Sequence, residues 1–166
     1  MMLGMGLFAF TLLHVLISLA GIASGFWVVF GFISGRRLGG WNTFFLATTI
    51  LTSVTGYMFP FEQLLPSHIV GAISLVVLAL ALAALYQFQL AGRWRSVYVV
   101  SASVALYFNS FVGVVQAFQK IPALKAMAPT QSEPPFLIAQ LALLCVFILL
   151  GTRATKNFRP AAVGVM

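Results

Sequence analysis

Residues 69–91 read IVGAISLVVLALALAALYQFQLA, twenty-three positions without one charged side chain. A bilayer core of roughly 30 Å takes about 17–25 residues of helix, so this stretch alone places the chain in a membrane. Helix is the form it must take. Unpaired strand edges are not satisfied in hydrocarbon, and no alternating ten-residue pattern suggests a barrel.

Working outward, four more apolar runs appear, at 7–33, 43–59, 97–118 and 136–151. The runs 43–59 and 136–151 are short and are expected to recruit flanking residues. The sequence therefore predicts an all-α, polytopic membrane helix bundle with five transmembrane helices. Apolar residues make up 61% of the 166, and mean hydropathy is +1.06, which leaves no room for a soluble domain. We read 1–166 as a single transmembrane domain, with 119–135 as its proline-rich outer loop. The first run is expected to be a retained helix. Nothing positive precedes it, and it is too long for the apolar region of a signal peptide.

Lysine and arginine sort to one side of this plan. Arg36, Arg37, Arg93, Arg95, Arg153, Lys156 and Arg159 share a side, against Lys120 and Lys125 on the other with both acids, Glu62 and Glu133. Seven against two predicts a periplasmic N-terminus and a cytoplasmic C-terminus. The net charge of +7 is thus a topology signal rather than a nucleic-acid surface. The single cysteine, Cys145, lies within the last run, so no intramolecular disulfide or CxxC chemistry is available. No catalytic triad is recognisable, and whether the chain is an enzyme stays open.

Helix faces follow from 100° per residue. His14, Ser18, Gly21 and Gly25 share one face of the first span, and its small residues allow close helix approach. Ala102, Ala105, Asn109, Gly113 and Gln116 form a similar stripe, as do His68, Ala72, Leu75, Ala79 and Tyr86. The hydroxyls of Thr48, Thr49, Thr52, Ser53 and Thr55 are expected to bond to their own helix carbonyls.

Polar groups within a bilayer suggest function by default, with plain interhelical hydrogen bonds as the alternative. On the five-span plan they gather in the outer half. A ligand site there would draw on His14, Asn109, Gln116 and Gln140, with His68 at the rim and Gln131 and Glu133 above. Three chemistries are open. His14 and His68, the only histidines, sit on different spans as a bis-histidine haem b site requires, in the plan of small b-type membrane cytochromes. The same pair with Glu62 and Glu133 suits a transition metal or a proton site, although no local ligand motif supports it. A polar small ligand or a lipidic one such as a quinone is the third, with Tyr107, Asn109 and Gln116 as lining. Trp41 and Trp94 read as interface anchors and Trp27 as core or lipid-facing. Arg36, Arg37, Arg93 and Arg95 suit anionic membrane lipids, although topology alone accounts for them. A homo-oligomer, or a structural or assembly role in a larger membrane complex, is a further alternative.

The segment KIPALKAMAPTQSEPPF, residues 120–136, fixes several backbone angles through Pro122, Pro129, Pro134 and Pro135. It reads either as a lid with Gln131 and Glu133 turned inward or as a rigid loop with Pro135 starting the last helix. The longer run ALYFNSFVGVVQAFQKIPALKAMAPTQSEPPF, residues 105–136, resembles one in a family of small, uncharacterised bacterial inner-membrane proteins. The resemblance covers most of the chain. It implies an inner-membrane location and brings no activity or site residue with it.

Overall fold

The computed structural model describes residues 6–60 and 66–159, and every regular element among them is helical. α1 is Leu7–Ile33, α2 Gly39–Gly56, α3 Pro66–Leu82 with a π-helical extension Ala83–Gln87, α4 Trp94–Lys120, α5 Pro122–Met127 and α6 Pro134–Asn157. The chain is the all-α bundle its sequence predicts. By length and composition, α1, α3 with its extension, α4 and α6 can each cross a membrane. α2 has 18 residues, carries five threonines and a serine, and is not among these four.

The first turn is set by Gly35, at φ +70°, a conformation that strains any side chain. Arg36 N–H donates to the Gly31 carbonyl at 2.8 Å and Gly35 N–H to Phe32 at 3.0 Å. This is the paired bonding of a Schellman stop, and it reverses the chain. α2 then runs back along α1. Leu38 meets Gly31, Phe45 meets Gly25, Thr48 and Thr49 meet Gly21, and Thr55 reaches His14. A Cβ on Gly25 would stand 2.5 Å from Leu106 Cδ1 and 2.7 Å from Phe45 Cε2, so glycine is what lets α1, α2 and α4 meet.

α4 is the hub and packs against α1, α2, α3, α5 and α6. The main core is Val28, Val29 and Phe32 of α1, Phe45 of α2, Leu78 and Ala81 of α3, Tyr98 to Leu106 of α4, and Ala154 with Phe158 after α6. These positions lie toward the ends of the helices that carry Arg36, Arg37, Arg93, Arg95, Arg153 and Lys156, here the basic end. Phe158 is fully buried, 4.7 Å from the Phe32 ring, and Asn157 Nδ2 donates to the Ile33 carbonyl at 3.0 Å. Together they pin the end of α6 to the end of α1. A smaller cluster of Phe118, Ala128 and Phe136 closes the opposite end, here the loop end.

The expected face of α3 is revised. His68 is buried, but Ala72, Ala79 and Tyr86 are exposed. The inward stripe is His68, Gly71, Ser74, Leu78, Ala81 and Leu85, a helical run offset from the expected one. Leucine and valine surround this helix, so its periodicity did not fix the face.

Candidate functional site

At the loop end the polar residues of the spans engage neighbouring helices. His14 Nδ1 lies 2.8 Å from Thr55 Oγ1, whose own proton goes to the Leu51 carbonyl at 2.6 Å. Thr55 must therefore accept from His14, which assigns the imidazole proton to Nδ1 and leaves Nε2 with a lone pair. Phe59 packs edge-on against the same imidazole, with ring centroids 5.2 Å apart. His68 stacks on Tyr57 at 5.6 Å, and the Tyr57 hydroxyl donates to the His68 carbonyl. Both histidines thus engage the end of α2 and the turn after it.

A bis-histidine haem needs two imidazoles facing each other across a flat space. Here Thr55 and Phe59 pack on the His14 ring and Tyr57 on the His68 ring, and none of these contacts sets the two imidazoles face to face. Among the described residues no three His, Cys, Asp or Glu side chains cluster as a metal site would require. Glu62, expected as a ligand, lies outside the described residues. Glu133, the other carboxylate, is committed to its own loop.

The remaining expected residues divide. Asn109 Nδ2 points to the Ser18 carbonyl at 3.4 Å and stands 3.1 Å from where a Gly21 Cβ would be. It belongs with His14 to one seam along α1, since Ser18 in turn bonds the His14 carbonyl at 2.7 Å. Gln140 Nε2 donates across to the Phe111 carbonyl of α4 at 3.3 Å. Gln131, in the left-handed region at φ 60°, donates to the Val115 carbonyl at 2.9 Å and accepts from Gln119 at 3.4 Å. Gln116 is exposed. The loop docks on the Val115 and Gln119 side of α4 and leaves the Gln116 side uncovered.

Glu133 does not turn inward as a lid would. Its carboxylate accepts from Thr130 N–H at 3.1 Å, the Thr130 hydroxyl at 2.9 Å and Ser132 N–H at 3.1 Å. Desolvation pushes its pKa up, and these bonds outweigh it, so the carboxyl titrates below its ordinary value. His14, Asn109, Gln131, Gln140 and Glu133 thus each take part in an interhelical or loop hydrogen bond. The same economy holds in α2, where Thr48, Thr49, Thr52, Ser53 and Thr55 each bond the carbonyl one turn back.

Open space lies elsewhere. A groove of about 440 Å³ between α1 and α2 is lined by Ala20, Ala23, Ser24, Trp27, Trp41 and Phe44. A second, of about 500 Å³, runs between α4 and α6. Its walls are apolar, including Val104, Tyr107, Leu144, Phe147 and Ile148, and its basic end carries Thr152, Thr155 and Lys156. Sequence reading missed this groove. The available signal was Gly151 in a leucine-rich helix followed by a hydroxyl and a lysine. Tyr107, expected to line an outer pocket with Asn109 and Gln116, lines this groove without them.

No family model, curated protein or solved structure matches the chain.

Proposed function

We propose that this chain is a five-pass protein of a bacterial inner membrane that binds an amphipathic lipidic ligand in the groove between α4 and α6. The groove carries the reading. It is long and apolar where a bilayer is apolar, and it ends in hydroxyls and an ammonium. Ligand sites are of this kind, mostly apolar with a few placed polar groups. The outer-half residues His14, Asn109 and Gln140 act in this reading as interhelical ties, and the ligand sits in the opposite half.

α2 supplies the fifth pass. Its 18 residues extend about 27 Å and return along α1 from Gly31 to His14. The seven-to-two sorting of cations supports a periplasmic N-terminus and a cytoplasmic C-terminus. The resemblance of residues 105–136 to small bacterial inner-membrane proteins supports the location. A reporter active only in the cytoplasm, fused after Met166, is expected to give signal. Signal from a periplasm-dependent reporter at that position instead would overturn the orientation.

The binding reading is tested by extracting lipid from protein purified in mild detergent. Ile148 lines the groove and is 58% exposed, so Ile148→Trp fills space without disturbing the core. The native protein is expected to retain a stoichiometric amphipathic molecule that Ile148→Trp loses. Equal retention by both, or none by either, removes the binding function.

A further inference from the structure

Resting on that reading, we infer that the occupant of the α4–α6 groove is an anionic glycerophospholipid, its phosphate at Lys156 and its ester carbonyl at Ser103.

The hydroxyl of Ser103 is unlike most others in the spans. Ser18, Ser24, Thr48 and Thr52 each donate to a carbonyl of their own helix. Ser103 is 95% buried (5% exposed), yet its Oγ makes no hydrogen bond to the protein. An unmade bond of this kind costs about 1–3 kcal/mol. Ser103 forms the floor of the groove and faces Gly151, where a Cβ would lie 4.0 Å from its Oγ. The hydroxyl is shielded from solvent, but glycine there places no side chain against it, and its proton can rotate toward a group that lies over Gly151. An ester carbonyl, which accepts and does not donate, is the matching partner.

Lys156 supplies the second contact. It lines the basic end of the same groove and is exposed. No acidic side chain answers it among the described residues, where the only acid, Glu133, caps the far end of α6. From Gly151 to Lys156 is five residues, about 7.5 Å along the helix axis. An ester thus falls one and a half turns deeper than the ammonium, the order in which a phospholipid carries phosphate and ester. Thr152 and Thr155 lie between them, with their own protons committed to Ile148 and Gly151 carbonyls at 2.6 and 2.8 Å. They line the passage and leave the cation to select the headgroup.

The basic mouth is held in place before any lipid arrives. Phe158 is buried against Phe32 and Tyr98, and Asn157 is bonded to the Ile33 carbonyl, immediately after Lys156. Preorganisation of this kind lowers the entropy lost on binding. By the charge sorting this mouth faces the cytoplasm, where anionic lipid headgroups attract lysines.

The test is native mass spectrometry of the full chain with added phosphatidylglycerol or phosphatidylcholine. Phosphatidylglycerol adducts are expected to dominate, and Lys156→Gln is expected to weaken them about fivefold while leaving phosphatidylcholine unchanged. Ser103→Ala is expected to weaken both lipids alike, because both carry the ester. If Lys156→Gln changes neither lipid, or Ser103→Ala has no effect, the headgroup and ester assignment is wrong. The groove reading then stands or falls separately on Ile148→Trp, which removes all adducts if the groove is the site. A Gly151→Leu protein that keeps its melting temperature and its adducts overturns both.

Discussion

The two ends of the bundle solve the same packing problem differently. At the basic end Val28, Val29, Phe32, Phe45, Tyr98 and Phe158 are each fully buried, and large apolar side chains fill the space between helices. At the loop end Asn109, Gln131 and Gln140 reach across to backbone carbonyls of neighbouring helices, and His14 reaches a hydroxyl. A helix carbonyl has a second lone pair free after its own ladder bond, so a side-chain amide can dock there without unwinding anything. Polar residues in a span are therefore no pointer to a ligand by themselves. The informative ones are those left unpaired beside open space, and the α4–α6 groove has one in Ser103.

The largest expected effect is at Phe158. Truncation to Ala opens a cavity against Phe32 and Tyr98 and unpins the end of α6, and Phe→Ala in a core costs about 3–5 kcal/mol. Phe136, 9% exposed and in the smaller cluster, should cost less. Thermal unfolding in one detergent measures both. A Phe136→Ala loss equal to or larger than the Phe158→Ala loss would break the contrast between the two ends.

How far this contrast was legible depended on the kind of signal. Helix existence was written in composition. The first span is predicted and found at 7–33, because apolar length alone decides it. The last span, read as 136–151, extends to Pro134–Asn157, recruiting the flanks its shortness demanded. α5 was not foreseen. Pro122 sits at its first turn, where a missing N–H costs nothing, but six residues give too little periodicity to show it. The seam from His14 to Asn109 was half legible. The α1 stripe of His14, Ser18, Gly21 and Gly25 does face other helices, but its partner at His14 is Thr55 of α2, and spacing within one helix says nothing of which neighbour stands opposite. Gln116 was misplaced for a similar reason, since the loop that covers α4 comes from residues sixteen positions away, through Gln131 and Val115. The α4–α6 groove was missed because Gly151 marks a loss of side-chain volume on α6 without showing that Ser103 of α4 stands opposite.

A smaller effect sharpens the comparison from the loop end. A double-mutant cycle of His14→Ala and Thr55→Val isolates their bond. Polar interhelical pairs in membranes average about 0.6 kcal/mol, because the unfolded helices also find partners. The coupling is expected near that value and is read from unfolding in detergent. Coupling above about 2 kcal/mol would exceed what such pairs show and would mean that this bond holds the bundle together as the basic-end core does.

The smallest effect is confined to the outer loop and follows the Glu133 carboxylate. Three donors, two from Thr130 and one from Ser132, hold the charged form, and its pKa is lowered from 4.5. A depressed folded value means that the contribution is complete above the unfolded value and disappears as pH falls through the folded one. The carboxylate is therefore fully engaged at neutral pH, and the loop loosens only in acid below the ordinary carboxyl range. The backbone N–H signals of Thr130 and Ser132 report it directly by NMR. They should titrate together with an apparent pKa below 4.5, and Glu133→Gln should abolish that titration. The melting temperature should be the same in the variant, because no core side chain rests on this carboxylate. An apparent pKa at or above 4.5 would show that the three bonds do not form in solution. A fall in melting temperature comparable to Phe158→Ala would show instead that the loop supports the bundle, and the division between a load carried by apolar packing and an end tied by hydrogen bonds would be lost.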